Sequence, residues 1–337
     1  MKPSVLRYLA LAAFSFSILL PFKAIAASGV DSLFVDARGS FHQELLDGHY
    51  SSQMRADYLN LHIYGKINDS FTYRVRQRLN VWIDKQDPFR ATDWMSLSWK
   101  ATDKLTLMAG KSAILIGGYE YDSAPIDVYF YSQFCSNLSQ YFAFGFNLQY
   151  EVAKSQYLTF QVCNSPLDTG FSEALAYNFV WTGGFAPWWE TIWSLNFIED
   201  PQRRVMNYIA LGNHLLFNKV QIDVDFFHRA SFKQQNFFLS DYSLIGKLIW
   251  RVGNWNICGK AGYESNDAAN VNANGESFDT VLKAGTSYFY GGCGLEYFPL
   301  GNDDVRLHIA YYRDSFEHKD NLQIGLKWKF RIIGASK

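Results

Sequence analysis

Charge is scarce in this chain. Asp, Glu, Lys and Arg make up 19% of its 337 residues, against about a quarter in an ordinary soluble domain. The net charge of −1 lacks the basic excess of a nucleic-acid binder. No apolar run beyond the N-terminus is long enough for a membrane-spanning helix, because polar residues interrupt every other apolar stretch. The four cysteines, Cys135, Cys163, Cys258 and Cys293, have neither C-x-x-C spacing nor nearby histidines, which removes the usual metal motifs. Their places inside apolar strands read as small buried residues. No Gly-rich phosphate loop and no paired metal ligands occur, so no cofactor is expected and the metal and catalytic sets are empty.

Aromatic residues, by contrast, are abundant at 18%, and they alternate. In Phe71 to Asp84, FTYRVRQRLNVWID, the residues Phe71, Tyr73, Val75, Leu79 and Val81 share one strand face, and Thr72, Arg74, Arg76, Arg78 and Asn80 the other. From Tyr141 to Glu151, Phe142, Phe144, Phe146, Leu148 and Tyr150 alternate with Ala143, Gly145, Asn147 and Gln149. The same period recurs from Leu33 to Ile332 and predicts sixteen strands. The fifth, tenth and fourteenth alternate weakly, and their facing stays open. Even-numbered strands end in short turns such as Gly253-Asn254. Most odd-numbered ones end in longer connections: Leu45 to Met54, Ser112 to Gln140, Ser165 to Glu173, Ala230 to Ser240 and Ser265 to Asp279.

Apolar faces on every strand, an even strand count and alternating turn lengths predict an all-β fold, a transmembrane antiparallel β-barrel in one domain, residues 27–337. Residues 1–26 read as a signal peptide, with Lys2 and Arg7 before an apolar stretch and Ala24-Ile25-Ala26 at the cleavage position. This places the barrel in the outer membrane of a Gram-negative bacterium, with the lipid bilayer and lipopolysaccharide as its surroundings. Sixteen strands leave a water-filled lumen.

The polar faces then line a channel. They carry more cations (Arg38, Arg74, Arg76, Arg78, Lys100, Lys247, Arg251, Lys260, Arg306, Lys327, Lys329) than acids (Asp36, Glu151, Glu190, Asp223, Asp225). A wall of one sign concentrates the opposite ion, so Arg74, Arg76, Arg78, Arg38 and Lys100 form the candidate basic ladder for small inorganic or organic anions. The competing reading has these cations pairing with loop acids to stiffen the wall, and both can hold for the same residues. The longest connection contains Gly117, Gly118, Tyr119, Glu120, Tyr121, Asp122, Pro125 and Asp127. It is too aromatic for disorder and is expected to fold into the barrel as a constriction loop.

The segment GKSAILIGGYEYDSAPIDVYFYSQF, Gly110 to Phe134, resembles the loop segment of the phosphate-selective porin O and P family. The opening DARGSFHQELLDG, Asp36 to Gly48, and the arginine strand are similar to that family's N-terminal strands. The resemblance implies a sixteen-stranded porin, commonly a homotrimer, passing anions such as phosphate along a basic wall past an infolded third loop. Two other functions fit a barrel: specific uptake of a nutrient or binding of a partner without general conductance, and a barrel lipase. The lipase needs an outward Ser–His pair, and the histidines at 42, 49, 62, 214, 228, 308 and 318 are scattered.

Overall fold

The computed structural model describes residues 29–82, 89–138, 141–168, 173–202 and 204–334. The expected signal peptide lies outside the described residues. Sixteen strands are found among them: β1 (Gly29–Leu46), β2 (His49–Lys66), β3 (Phe71–Arg78), β4 (Thr92–Lys100), β5 (Leu105–Ala113), β6 (Phe142–Ala153), β7 (Gln156–Asn164) and β8 (Leu175–Ala186), then β9 (Trp189–Glu199), β10 (Val205–Phe217), β11 (Val220–Ser231), β12 (Asp241–Val252), β13 (Trp255–Asn266), β14 (Thr286–Tyr297), β15 (Val305–Asp314) and β16 (Lys319–Ile333). Each pairs antiparallel with its sequence neighbours, and β16 closes on β1 from Leu33↔Ile333 to Leu46↔Lys319. Closure leaves no sheet edge and satisfies the backbone between strands, the condition for crossing lipid with strands.

The two faces separate as the alternation predicts. On β6, β12 and β16, Leu148, Leu244, Leu248, Ile324, Leu326 and Trp328 are exposed. Their sequence neighbours Asn147, Ser243, Gln323 and Lys327 are buried on the other face. The three strands left open now have a facing. Ser112 of β5, Tyr208 of β10 and Tyr288, Tyr290 and Glu296 of β14 are buried with the inward set.

Several boundaries differ from expectation, each for a local reason. The long first loop, Leu45 to Met54, is a two-residue turn. Asp47 and Gly48 have φ of 49° and 78°, which fits a type I′ hairpin, whose left-handed pair Asp-Gly supplies at low cost. β3 stops at Arg78 rather than running to Asp84, and residues 83–88 lie outside the described set. β8 continues through the glycines expected as a turn, leaving Pro187 and Trp188 to reverse the chain. β14 begins at Thr286, not Thr280. The residues before it belong to a connection whose Val281 and Leu282 are 1% and 2% exposed.

Two β-bulges matter most. The β1–β2 register passes from Arg38↔Tyr58 to Gly39↔Ala56, and the β3–β4 register from Arg76↔Trp94 to Gln77↔Thr92. The extra residues are Asp57 and Asp93. A bulge inserts one residue and re-aims its side chain, and both aspartates therefore turn toward the arginine face.

Candidate channel lining

The connection between β5 and β6 holds two short helices, α1 (Tyr119–Asp122) and α2 (Gln133–Asn137), with a 3₁₀ turn at Pro125–Asp127 between them. Wall carboxylates hold the N-termini of both helices. Asp225 of β11 accepts the Tyr119 and Glu120 amides at 2.7 Å each. Glu264 of β13 accepts those of Gln133 at 2.7 Å and Phe134 at 3.0 Å. The first amides of a helix have no internal partner, so a carboxylate placed there completes them.

The approach is close enough to dictate glycine. The Gly117 amide donates to Ser194 Oγ at 2.8 Å and that of Gly118 to the Ile192 carbonyl at 3.1 Å. A Cβ on Gly118 would lie 2.3 Å from Phe227 Cζ, and its φ is +98°. Gly212 of β10 is matched to it, since a Cβ there would meet Gly118 Cα at 2.6 Å.

Further along, the connection is clamped by cations. Lys260 Nζ donates to Glu120 Oε1 and to the Phe130 carbonyl, both at 2.7 Å. Asp127 Oδ1 lies 2.7 Å from both Arg306 and Lys327. Burial works against the Asp127 charge, but these two cations hold its carboxyl below the usual value. Arg38 donates to the carbonyls of Ile126 at 2.8 Å and Val128 at 2.9 Å. Tyr119 stacks on His214 and Tyr121 on Tyr141. Burial pushes the Asp122 carboxyl up, with Arg74 pulling the other way.

The candidate ladder is mostly neutralised. Arg76 Nη2 and Arg78 Nε reach Asp93 at 2.9 and 3.1 Å. Arg38 Nε lies 3.5 Å from Asp57. Lys100 sits at the β4–β5 turn, 2.9 Å from the exposed Asp103 and apart from the other ladder residues. Arg74 has no carboxylate within ion-pair distance among the described residues and lies between Tyr64 and Trp94 instead, 5.2 and 3.7 Å from their ring centroids. Acids beyond those expected on the wall include Asp57 and Asp93, hidden by the bulges, Glu296 on the unassigned strand β14, Glu264 and Asp241. A buried cation also went uncounted. Arg229, 0% exposed, binds Asp241 at 2.7 Å, Asp279 at 2.9 Å and Ser243 Oγ at 3.0 Å. All four cysteines are free: Cys135 and Cys163 are buried, Cys258 is half-buried and Cys293 is exposed.

Between the connection and β11–β15 lies a cavity of about 480 Å³ that reaches the turns at Asn254 and Asn302. Charges of both signs line it, among them Glu120, Lys247, Arg251, Glu296, Asp303 and Arg306.

A closed sixteen-strand barrel with an apolar outer face and a charged inner one is an outer-membrane β-barrel of porin architecture. The family model for phosphate-selective porin O and P matches residues 37–188, a stretch that takes in both the ladder and the β5–β6 connection. No curated protein matches the chain. Among solved structures, the outer membrane channel DcaP of Acinetobacter baumannii superposes with a TM-score of 0.64 at 12% identity, over 93% of this chain and 100% of its own. The anion-selective porin from Comamonas acidovorans gives 0.64 at 9% identity, over 90% and 100%. OmpT of Vibrio cholerae in its trimer form gives 0.60 at 12%, over 90% and 100%. At such identities these likenesses show the fold.

Proposed function

We propose that this protein is an outer-membrane porin through which small solutes diffuse, with a lean to anions such as phosphate, and that the β5–β6 connection crosses the lumen as its constriction. The observation that carries this is the set of partners of one connection. Between Gly117 and Phe134 it bonds to inward-facing residues of β1, β9, β11, β13, β15 and β16, strands on different sides of a closed ring. The anion lean is supported by Arg74, which has no carboxylate within ion-pair distance among the described residues, and by the likeness to an anion-selective porin. Homotrimer assembly is proposed by analogy with the OmpT trimer form, and lipopolysaccharide is the proposed neighbour of the outer rim.

Planar bilayers test this directly. Stepwise conductance in KCl is expected, with a reversal potential of anionic sign under a salt gradient. Absence of conductance would instead favour a barrel dedicated to one nutrient or partner; cation selectivity would refute the lean alone. Hydrolysis of phospholipid by the purified barrel would revive the lipase. Crosslinking in native outer membranes is expected to give a trimer band.

A further inference from the structure

One part of the inner wall is not built for a hydrated inorganic ion. Phe34, His62, Tyr64 and Trp94 share the face that carries Arg74 and Lys329, as their register shows: Phe34↔His62, Tyr64↔Arg74 and Arg76↔Trp94. The rings of Phe34 and His62 stack at 4.5 Å and 9°. Tyr64 lies 6.1 and 6.2 Å from them, within 14° of parallel. Arg74 joins Tyr64 to Trp94, and Lys329 Nζ stands 5.3 Å over Phe34. The result is a row across β16, β1, β2, β3 and β4 with a cation near each end and near-parallel rings between.

We propose that this row is a subsite for carboxylates bearing a flat aromatic ring. The inference rests on the porin reading and names a solute class for it. Aromatic faces gain little from a passing chloride or phosphate, whereas a planar solute can extend an offset stack of parallel rings. The charge partner is present: Arg74 has no carboxylate within ion-pair distance among the described residues, only the longer-range pull of Asp122, and its Nε is buried without a hydrogen-bond partner. A guanidinium already lying on aromatic faces suits a carboxylate attached to a ring. The other ladder cations are engaged, Arg76 and Arg78 by Asp93 and Arg38 by Asp57 and two carbonyls. Asp36, opposite Lys329 in register, is held by His62 Nε2 at 3.1 Å. Compact phosphate needs several donors converging on one point, and here the free cations are separated by rings.

Benzoate and acetate are the probes, since they share a carboxylate and differ by the ring. In planar bilayers, KCl conductance tests the porin reading by itself. Benzoate is then expected to block that current in a concentration-dependent way and acetate is not. Saturation-transfer NMR on the detergent-solubilised barrel reads benzoate binding whether or not the barrel conducts. Trp94→Leu and Phe34→Leu are each expected to weaken binding at least about fivefold, the scale of one lost ring stack, and Arg74→Gln to weaken benzoate binding further. Equal behaviour of benzoate and acetate, or benzoate binding unchanged in both ring variants, overturns the proposal and leaves the rings as packing around Arg74.

Discussion

Arg229→Met should loosen the outer end of the barrel without dissolving the barrel. Arg229 is wholly buried between Asp241 at the start of β12, Asp279 in the β13–β14 connection, and Ser243, which itself donates to Glu264 at 2.6 Å. Methionine keeps much of the volume and removes the charge, so two enclosed carboxylates lose their cation. Removing one member of a buried ion cluster costs about 3–5 kcal/mol. The β-ladder around it is intact, so the cost falls on the segment that Asp279 ties to Arg229 of the wall, residues 267–285. That segment keeps its apolar hold through Phe278, Val281 and Leu282 and the bonds to Leu282 O and Val281 O from Asn266 and Asn137. It therefore still docks, but its open population rises by about two to nearly four powers of ten. Lys283 is exposed and flanked by these contacts, which makes limited trypsinolysis the assay. Cleavage after Lys283 should accelerate strongly in Arg229→Met and more weakly in Asp279→Ala, which leaves Arg229 paired with Asp241. Heat-modifiable migration on gels should persist in both. Unchanged cleavage in Arg229→Met, with the barrel intact, would refute the reasoning.

Replacing Arg74, Arg76 and Arg78 together by alanine should leave the barrel folded and shift selectivity toward cations, since Asp93 is then unpaired; an unchanged reversal potential would reduce the ladder to wall structure. Lys260→Met removes the cation from Glu120, which is 7% exposed, at a cost of about 3–5 kcal/mol, and should raise single-channel conductance or noise as the proposed constriction loosens. Gly118→Ala should destabilise the same segment, because φ is positive and the new Cβ would meet Phe227; equal thermal stability would contradict that packing. The Asp127 clamp carries a definite sign with pH. A carboxyl held below its ordinary value contributes stability that is complete above the unfolded value and lost as pH falls through the lower folded value. Loosening through Asp127 should therefore be absent from neutral pH down to about 4 and appear below, and Asp127→Asn should remove that acid step from the conductance profile.

The barrel was legible in the residues because lipid contact enforces a period of two on every strand, and no register slip is tolerated without moving apolar groups inward. What escaped were the places where that period breaks. Asp57 and Asp93 fall on the outward parity when counted from their neighbours, yet each is a bulge residue and each meets an arginine. An Asp beside a lumen arginine strand is the signal that could have raised the suspicion. Asp47-Gly48 carries the Asp-Gly signature of a tight hairpin turn inside what the strand pattern reads as a longer loop. The constriction candidates Gly117 and Gly118 were visible as residues, but their reason was not, because it lies in Gly212 and Phe227, nearly a hundred positions or more away. Arg229 and Asp279 illustrate the same limit: nothing local pairs a strand end with a loop fifty residues on.

The bulge aspartates have a consequence for how such a pore changes over generations. Among the described residues Asp93 is the one acid paired with both Arg76 and Arg78, so one substitution, Asp93→Asn, would unveil two guanidinium groups without altering either arginine. The reverse mutation silences them again. A lineage carrying this wall sits one codon from a more anion-attracting pore, with the positive charges already installed and only their cover to be lifted.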